Sequence, residues 1–300
     1  MADVRELAEL IARYAPEDGA HPTPLPRVFL HRASQLNEPL HAVYEPAVCL
    51  IAQGSKRAMV GDNLYSYSGG QYLVISVDVP VVSQLVEASP EKPFLSLRID
   101  LDPAALGALM LESDVARAER DSAGPALAVS SIDDDLLDAA IRLMRLMANP
   151  RDIPILAPLA EREIMYRLLR GEQASTMSQI AYAESKLQQV NRAIGWIKRN
   201  FREPFSIDAV ASEARMSASA LHHHFKVVTA MSPLQYQKQL RLQEARRLIL
   251  TQAADAATAG HSVGYDSPSQ FSREYKRLFG APPVRDVSSL RLAGTSFATA

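Results

Sequence analysis

Apolar and polar positions follow two different periods along the chain, and the period changes near Pro103. Between about Val28 and Asp100, short apolar stretches such as AVCLIAQG and QYLVISVDVPVV alternate with turn residues, among them the run Gly61-Asp62-Asn63. Valine, isoleucine, tyrosine and phenylalanine dominate these stretches, which is typical of β-strands separated by turns. The pattern therefore predicts a β-barrel or β-sandwich in the first third of the chain.

After Pro103 the apolar residues recur every three or four positions, which is the spacing of one face of an α-helix. Two such segments, DDDLLDAAIRLMRLM and PILAPLAEREIMYRLLRG, could cover the barrel or form the seam of a homodimer, and the sequence leaves both open. The polar stretch that follows them predicts a linker. The expected fold is α+β with two domains: an N-terminal domain over 1–171, a linker over 172–185, an all-helical domain over 186–290 and a tail over 291–300 that looks disordered.

Charge is divided unequally between the two domains. From residue 186 to the end there are 16 lysines and arginines against 8 acidic residues, a balance of +8, whereas the rest of the chain has 16 against 26, a balance of −10. A basic domain on an otherwise acidic chain indicates a polyanionic partner for that domain.

Cysteine usage and hydropathy indicate the compartment. The single cysteine, Cys49, excludes an intrachain disulfide and agrees with a reducing environment. No apolar run approaches the roughly 18 residues that a membrane span needs, and the charged start MADVRELAEL is unlike a secretory signal. A cytoplasmic protein without a membrane partner is therefore expected.

An internal repeat with a period of 50 residues runs through the C-terminal domain. The segment SASALHHHFK, which begins at Ser217, lies over SPSQFSREYK, which begins at Ser267, and Pro233 lies over Pro283. In each copy a serine opens the segment, large apolar residues hold the fifth and ninth places, and a short alanine-rich helix precedes it. A short helix, a tight turn and a second helix form a helix-turn-helix unit, so the sequence predicts two such units.

The second helices of the two units present similar outer faces. At 100° per residue the fifth and ninth places of each ten-residue segment lie on one inward stripe of the helix. The third, seventh and tenth places, counted from Ser217 or Ser267, therefore face outward. Such a face suits entry into the major groove, and Arg273 is the best candidate for base reading because arginine pairs bidentately with guanine. For every one of these residues the alternative is an ordinary solvated helix face. The base-reading candidates are Ser219, His222, His223, Ser269, Gln270 and Arg273. The phosphate-binding candidates are Ser217, Lys226, Ser267, Lys276 and Arg277.

The three consecutive histidines at 222–224 do not predict a metal site. Histidine pairs that bind metal on a helix need a spacing of three or four residues, whereas consecutive positions point in different directions. His223 is expected to face a partner, and His224 is expected either to lie at the edge of the core or to face solvent.

The C-terminal segments GYDSPSQFSREYKRLFGAPP and SPLQYQKQLRLQEARRLIL resemble the signature of the AraC/XylS family of bacterial transcription regulators. The resemblance implies a domain of seven helices, in which a long helix from about Pro233 to Leu250 joins two helix-turn-helix units that read adjacent major-groove segments. Two positions depart from the family pattern. His223 stands where arginine is frequent, and Arg215 stands where many members have the glycine that Gly264 keeps in the second unit. The turn at Arg215 is therefore expected to need a different backbone angle, since only glycine takes positive φ freely.

The segment YEPAVCLIAQGSKRAMVGDNLYSYSGGQYLVISVDVPVVSQLVEA is similar to the N-terminal domain of AraC-type regulators, which has a cupin-like barrel. This resemblance implies a domain that binds an effector or dimerises. A small, largely apolar effector would meet the apolar lining of the barrel, although these residues could simply fill its core. The lining candidates are Val43, Val48, Leu50, Met59, Leu73 and Ile75.

The expected function is a ligand-responsive, sequence-specific transcription activator, not an enzyme, with no cofactor. The expected partners are double-stranded promoter DNA, RNA polymerase, an unidentified small-molecule effector and a second copy of the chain.

Three alternatives remain open at this stage. Cys49 could sense electrophiles or oxidants, although unpaired cysteines are usually inert. A cupin-type metalloenzyme would need three convergent ligands, but the N-terminal half offers only His21, His31 and His41, without an H-x-H pair. A nonspecific architectural DNA binder would be basic throughout, which this chain is not.

Overall fold

The computed structural model describes residues 3–113, 123–252 and 255–292. The chain divides into two compact units: an N-terminal unit that ends at Gln189 and also includes Val227–Ala230, and a C-terminal unit with Val190–Lys226 and the residues from Met231 onward. The N-terminal unit combines strands with flanking helices. Its strands are β1 (Gly19–Pro22), β2 (Val28–Ala33), β3 (Leu40–Tyr44), β4 (Ala47–Gln53), β5 (Ser55–Val60), β6 (Asn63–Ser68), β7 (Gln71–Ile75), β8 (Val79–Glu87), β9 (Phe94–Asp100) and β10 (Leu127–Ser131). Its helices are α1 (Val4–Tyr14), α2 (Pro103–Glu112), α3 (Asp134–Arg145), α4 (Ile153–Arg170) and α5 (Ala174–Ala181), with a 3-10 turn at Leu146–Ala148.

The strands form two separate sheets. The larger has six strands in the order β1-β2-β9-β4-β7-β10, and the smaller has four in the order β3-β8-β5-β6. No described strand belongs to both sheets, because β4 pairs with β7 and β9 while β5 pairs with β6 and β8. The predicted α+β class is confirmed, but the expectation of a closed barrel is wrong: the described strands form two open sheets.

The two sides of the six-stranded sheet have different neighbours. Helix α1 contacts β2, β4 and β9 and buries Leu7 and Ile11 completely. The apolar stripe of α1 follows the helical period, and Asp3 caps its first turn by accepting from the Arg5 amide at 2.9 Å. The opposite side of the sheet faces the smaller sheet, since β6 contacts β4, β7 and β10. The N-terminal unit is thus layered as helices, six-stranded sheet and four-stranded sheet.

The segment expected to be a linker, 172–185, contains helix α5. Met177 and Ile180 lie one turn apart on this helix and are buried, and α5 contacts α2 and α4. The polar composition of the segment hid this single apolar face, which is enough to fold the stretch onto its own unit. It is therefore a packed helix in the described structure.

The C-terminal unit is helical throughout its described residues. It consists of most of α6 (Lys186–Asn200), followed by α7 (Ile207–Ala214), α8 (Ala218–Thr229), α9 (Pro233–Gln252), α10 (Ala256–Ser262), α11 (Pro268–Phe279) and α12 (Pro283–Leu292). These are the seven helices that the resemblance implies. Of the expected tail, residues 291 and 292 continue α12, and 293–300 lie outside the described residues. None of the described helices combines the length and the hydropathy that crossing a membrane requires.

Candidate functional site

Two helix-turn-helix units are present in the C-terminal unit, α7 with α8 and α10 with α11. A serine opens the second helix of each unit: the Ser217 hydroxyl accepts from the Ala220 amide at 3.2 Å, and that of Ser267 accepts from Gln270 at 3.3 Å. Each serine therefore caps its helix, and the positive end of a helix is an arrangement that attracts phosphate. Both caps belong to the residues predicted to lie near phosphate.

Helices α8 and α11 expose the positions that their periodicity predicts. Leu221 and Phe225 in α8, and Phe271 and Tyr275 in α11, are almost completely buried. All nine predicted contact residues on the outer sides of these helices are exposed. They are Ser219, His222, His223 and Lys226 in α8, and Ser269, Gln270, Arg273, Lys276 and Arg277 in α11. The histidines diverge as expected, since His222 and His223 are exposed whereas His224 is half-buried with its ring 5.0 Å from that of His223.

The cations of α11 are available for a partner. Within the described ranges, no carboxylate lies within ion-pair distance of Arg273, Lys276 or Arg277. The one acidic residue of the helix, Glu274, is held by the Lys238 ammonium and the Tyr265 hydroxyl, each at 2.8 Å. The outer face of α11 therefore carries positive charge that the described protein leaves uncompensated, which is what a phosphate backbone requires.

Residue 270 is the exception among these positions. The amide nitrogen of Gln270 donates to Glu274 at 3.2 Å, so part of its hydrogen-bonding capacity is used within the helix. Its amide oxygen and second N–H remain for a base edge.

The turn of the first unit keeps a left-handed residue although it lacks glycine. Arg215 has φ 54° and ψ 46° and caps α7 by donating its amide to the carbonyls of Ala211 and Ser212. The expectation that arginine would force another backbone angle is wrong, because these cap hydrogen bonds and the buried helices on both sides hold the left-handed conformation. A side chain in this region costs about 1–2 kcal/mol, so the first turn is strained where the second, with Gly264 at φ 91°, is not.

The two helix-turn-helix units are clamped together by Arg241 of the long helix α9. Its guanidinium donates to the carbonyls of Phe201 at 2.5 Å, Arg202 at 3.0 Å and Glu203 at 2.7 Å, at the turn that precedes α7. The same group donates to the Gly264 carbonyl at 2.7 Å, in the turn of the second unit. Arg241 therefore fixes the first unit against the second through four charged hydrogen bonds.

A buried ion pair positions α11 on its own core. Arg246 of α9 and Asp286 of α12 form two hydrogen bonds, at 2.8 and 2.7 Å, with less than a tenth of either side chain exposed. The Tyr275 hydroxyl donates to Asp286 at 2.7 Å, and burial together with this hydrogen bond raises the pKa of Tyr275. The recognition helix is thus fixed through its buried tyrosine while its opposite face stays open.

In the N-terminal unit, strand register decides which side chains lie between the sheets. Cys49 pairs with Arg98 on one side and with Leu73 on the other, so all three share the face that looks toward the smaller sheet. Leu73 and Ile75 therefore face this interior, and their contact with an effector stays a prediction. Val48 and Leu50 alternate with Cys49 and face the helices, which corrects their predicted place in the lining.

Two more lining candidates lie on the outer face of the smaller sheet. Met59 is 42% exposed, and its partner in β6, Leu64, is 62% exposed. Val43 shares that face, because His41, two residues earlier, pairs with the same Val82 that pairs with Met59. The prediction is wrong for Val43 and Met59 because hydropathy alone does not distinguish the two faces of an edge sheet.

The side chains that do line the interior include polar ones that hydropathy could not select. His31 and Cys49 point between the sheets and keep partly accessible surfaces. Burial, with further contributions from Lys56 and Arg98, lowers the pKa of His31 to about 4, and burial raises the pKa of Cys49 to about 11. No group of three histidine, cysteine or acidic side chains suited to a metal ion occurs in the part of the chain that the structure describes.

Two kinds of polar residue in these places escape sequence reasoning. Lys56 and Arg98 in the interior could have been found from strand alternation once the register was known. Arg241 could not, because its partners lie 23 to 40 residues away and no periodicity links them.

Comparison with known families gives two matches. Residues 24–176 match the model described as the AraC-type transcriptional regulator N-terminus, and residues 210–286 match a helix-turn-helix domain.

Curated relatives match over about half of this chain. The HTH-type transcriptional regulator ArgR of Pseudomonas aeruginosa is 25% identical over 157 residues, which is 52% of this chain and 47% of ArgR. The HTH-type transcriptional activator RhaS of Escherichia coli is 27% identical over 158 residues, 52% of this chain and 55% of RhaS. The chain thus spans about half the length of these relatives.

Solved structures match over most of the chain. One structure of ToxT from Vibrio cholerae aligns with a TM-score of 0.56 at 13% identity, covering 87% of this chain and 97% of ToxT. A ToxT structure with bound unsaturated fatty acid aligns with a TM-score of 0.53 at 10% identity, covering 90% and 96%. At these identities the likeness concerns the fold alone.

Proposed function

Because this chain belongs to the AraC family of DNA-binding transcriptional regulators, we propose that it binds a promoter through α8 and α11, which enter adjacent major-groove segments. One observation carries the proposal: the two helices bury the same two places of the repeat and expose the same three, with unpaired cations on α11. Two reading helices in one chain fit an asymmetric site, with their centres about one helical turn, or roughly 34 Å, apart.

The exposed residues divide into base readers and phosphate binders. Arg273 reads a guanine, because its fork of N–H donors matches the two acceptors of that base in the major groove. The other five candidates, at positions 219, 222, 223, 269 and 270, read base edges more weakly. Lys226, Lys276 and Arg277 hold phosphates, and the first turns that Ser217 and Ser267 cap add backbone amides to those contacts.

A selection of binding sites from random DNA tests this division. Arg273→Ala should lose about 1–3 kcal/mol on the preferred sequence and relax the preference at one position. Lys276→Ala, three residues along the same helix, is the matched control, and it should weaken binding to all sequences alike and reduce the salt dependence by about one phosphate contact. An unchanged sequence preference in Arg273→Ala would count against base reading by α11.

The clamp at Arg241 supports a fixed distance between the two recognised DNA segments. Inserting about five base pairs between the segments turns one of them to the opposite side of the duplex, since a helical turn is about 10 base pairs. Binding should then fall to the nonspecific level. An insertion of ten base pairs should also abolish specific binding: it keeps both segments on one side of the duplex but moves them farther apart than one protomer can reach. Tight binding to both spacers would contradict a rigid pair of readers.

We further propose that the N-terminal unit binds a small-molecule effector that changes DNA binding and promotes transcription with RNA polymerase in the cytoplasm. A ligand can do this only if it favours one state of the protein over another, and only by its difference in affinity for the two. Two similar proteins support this proposal: RhaS is a transcriptional activator, and ToxT has been solved with a bound unsaturated fatty acid. Promoter occupancy and transcript level, measured with and without candidate metabolites on DNA flanking the coding region, test it.

Burial makes Cys49 a poor candidate for a thiol sensor. With its pKa raised to about 11 by burial, the thiol is almost fully protonated at neutral pH, and only the thiolate is strongly nucleophilic. Cys49→Ser should therefore respond to aldehydes and oxidants as the wild type does.

A homodimer through α4 completes the proposal. Ile155, Leu156 and Leu159 form an exposed apolar row on this helix, and Ile155 is 71% exposed. Such a row is more typical of an interface than of a solvated helix. Leu159→Glu should shift the sedimentation of the full chain from dimer to monomer, and an unchanged dimer would place the interface elsewhere.

A further inference from the structure

A chain of hydrogen bonds runs along one flank of the recognition helix α11. The Glu274 carboxylate accepts from the Lys238 ammonium of α9 and from the Tyr265 hydroxyl, each at 2.8 Å. It also accepts from the side-chain amide of Gln270, one turn earlier on the same helix, at 3.2 Å. Only 14% of the Glu274 side chain is exposed, whereas Gln270 is an exposed residue. Lys238 and Tyr265 therefore fix Glu274, and Glu274 in turn holds an exposed side chain.

The charge of Glu274 decides the orientation of the Gln270 amide. Burial alone would raise the pKa of Glu274, but the hydrogen bonds from Lys238, Tyr265 and Gln270 lower it, so the carboxylate is ionised at neutral pH. An ionised carboxylate has acceptors only, and Gln270 can meet it only with its NH2 group. The amide of Gln270 is thereby left with one N–H donor and its carbonyl oxygen for a partner.

One donor and one acceptor side by side match adenine. In the major groove adenine presents the acceptor N7 next to the donor N6–H2, whereas guanine presents two acceptors, N7 and O6. Guanine would require both N–H groups of the amide, but one of them is bound to Glu274, and the amide oxygen would face O6. Cytosine and thymine each present a single hydrogen-bonding group at this edge. The Gln270 amide is therefore set to discriminate adenine from guanine.

Gln270 stands where a reading helix reaches base edges. Ser267 caps α11, so Gln270 lies in the first turn, and helix-turn-helix proteins contact bases with the N-terminal residues of the second helix. Arg273 follows three residues later, about 4.5 Å farther along the helix axis and beside Gln270 on its surface. Because base pairs are about 3.4 Å apart, the two side chains reach bases that are about one or two base pairs apart.

We propose that Gln270 reads an adenine close to the guanine that Arg273 reads, and that Glu274 is the positioning residue that sets this preference by holding one N–H of the Gln270 amide. The inference rests on the proposed function and deepens it, since it names the base and the residue that controls its recognition. In the first unit the place of Gln270 is taken by Ala220, which has no amide. The adenine is therefore expected only in the segment that α11 contacts.

Selection of binding sites from random DNA by the full chain tests the base, with the ratio of adenine to guanine at each position as the readout. Gln270→Ala should lower this ratio about tenfold at one position and leave the guanine of Arg273 selected. Ser272→Ala, an exposed residue on the other flank of α11, is the matched control and should leave the ratio unchanged. A wild type that selects no sequence would refute the proposed function. A wild type that selects a sequence whose preferences all persist in Gln270→Ala would overturn this inference alone.

Glu274→Gln tests the positioning role and preserves the shape of the side chain. A neutral amide at this position can either accept from Gln270 or donate to it, so the orientation is no longer fixed and the ratio should fall about threefold. Loss of a negative charge near DNA should also strengthen binding to all sequences, but that effect does not change the ratio. In the Gln270→Ala background, Glu274→Gln should leave the ratio as it is. An unchanged ratio in the single variant, or a changed ratio in that background, would overturn the positioning role.

A modified base tests the contact without a change in the protein. Replacing the selected adenine by 7-deazaadenine removes the acceptor N7 and preserves base pairing. In a gel-shift titration the wild type should bind this DNA about fivefold more weakly, whereas Gln270→Ala should bind both DNAs equally. Equal binding of the wild type to the two DNAs would overturn the inference.

Discussion

Gly264→Ala should destabilise the C-terminal unit far more than an ordinary glycine substitution. A Cβ atom at this position would lie 2.1 Å from the Arg202 carbonyl oxygen and 2.9 Å from a guanidinium nitrogen of Arg241. The residue also has φ 91°, where a side chain costs about 1–2 kcal/mol, partly offset by about 0.4–1 kcal/mol from the stiffer unfolded chain. The collision therefore adds to a backbone penalty of about 1 kcal/mol.

The size of the collision term follows from the clamp. To make room, the chain must move the carbonyl of Arg202 or the turn at Gly264, and either movement breaks at least one hydrogen bond of Arg241. A hydrogen bond to a charged group contributes about 1.5–3 kcal/mol, so with the backbone penalty the total loss in the free energy of unfolding should be about 2.5–4 kcal/mol.

Gly280→Ala is the matched control. Gly280 has a similar φ of 80°, but a Cβ there would meet nothing within 4 Å, so only the backbone penalty of about 1 kcal/mol applies. Urea unfolding followed by selectively excited tryptophan fluorescence reports on this unit alone, because the single tryptophan, Trp196, lies in α6. Equal losses in the two variants would refute the steric argument and with it the importance of the contact between the two helix-turn-helix units.

Three further predictions concern the strained turn, the buried ion pair and the interior histidine. Arg215→Gly should raise the free energy of unfolding of the C-terminal unit by about 0.5–1 kcal/mol, because glycine relieves the left-handed strain at φ 54°; the same urea titration measures it, and a loss would mean that the arginine side chain contributes more than the strain costs. Asp286→Ala should cost about 3–5 kcal/mol by leaving Arg246 buried and unpaired, and Arg246→Met in the same background should recover part of it, whereas additive losses would contradict a coupled pair. The pKa of His31 is about 4 in the folded protein against 6.5 in the unfolded chain, so the free energy of unfolding should fall as pH drops from about 6.5 to 4. In His31→Gln this fall should be smaller by up to about 3 kcal/mol. Parallel acid unfolding curves for the two proteins would show that His31 does not contribute.

Local periodicity predicts the recognition helices well and the sheet interior poorly. The faces of α8 and α11 follow from the spacing of Leu221, Phe225, Phe271 and Tyr275, since a helix fixes its faces within a single segment. The faces of a strand depend on its partners in other parts of the chain. For that reason Val48, which was expected to line the interior, faces the helices, and Cys49 faces the interior.

Polar residues with structural roles are also beyond the reach of hydropathy. The helix α5 has only Met177 and Ile180 to indicate its buried side within a polar stretch. Arg241 has the composition of any exposed helical arginine, and its role depends on carbonyls supplied by two distant turns. Arg215 showed that a left-handed turn can be kept without glycine when the helices around it determine the backbone.

The guanidinium of Arg241 makes the two copies of the repeat mutually dependent for folding. If either turn opened, the other would lose hydrogen bonds at the same moment, so local melting of one copy should spread to its neighbour. A molecule in which one copy has unfolded should therefore lose both recognition helices and dissociate from DNA completely. It should not stay bound through the remaining helix-turn-helix unit.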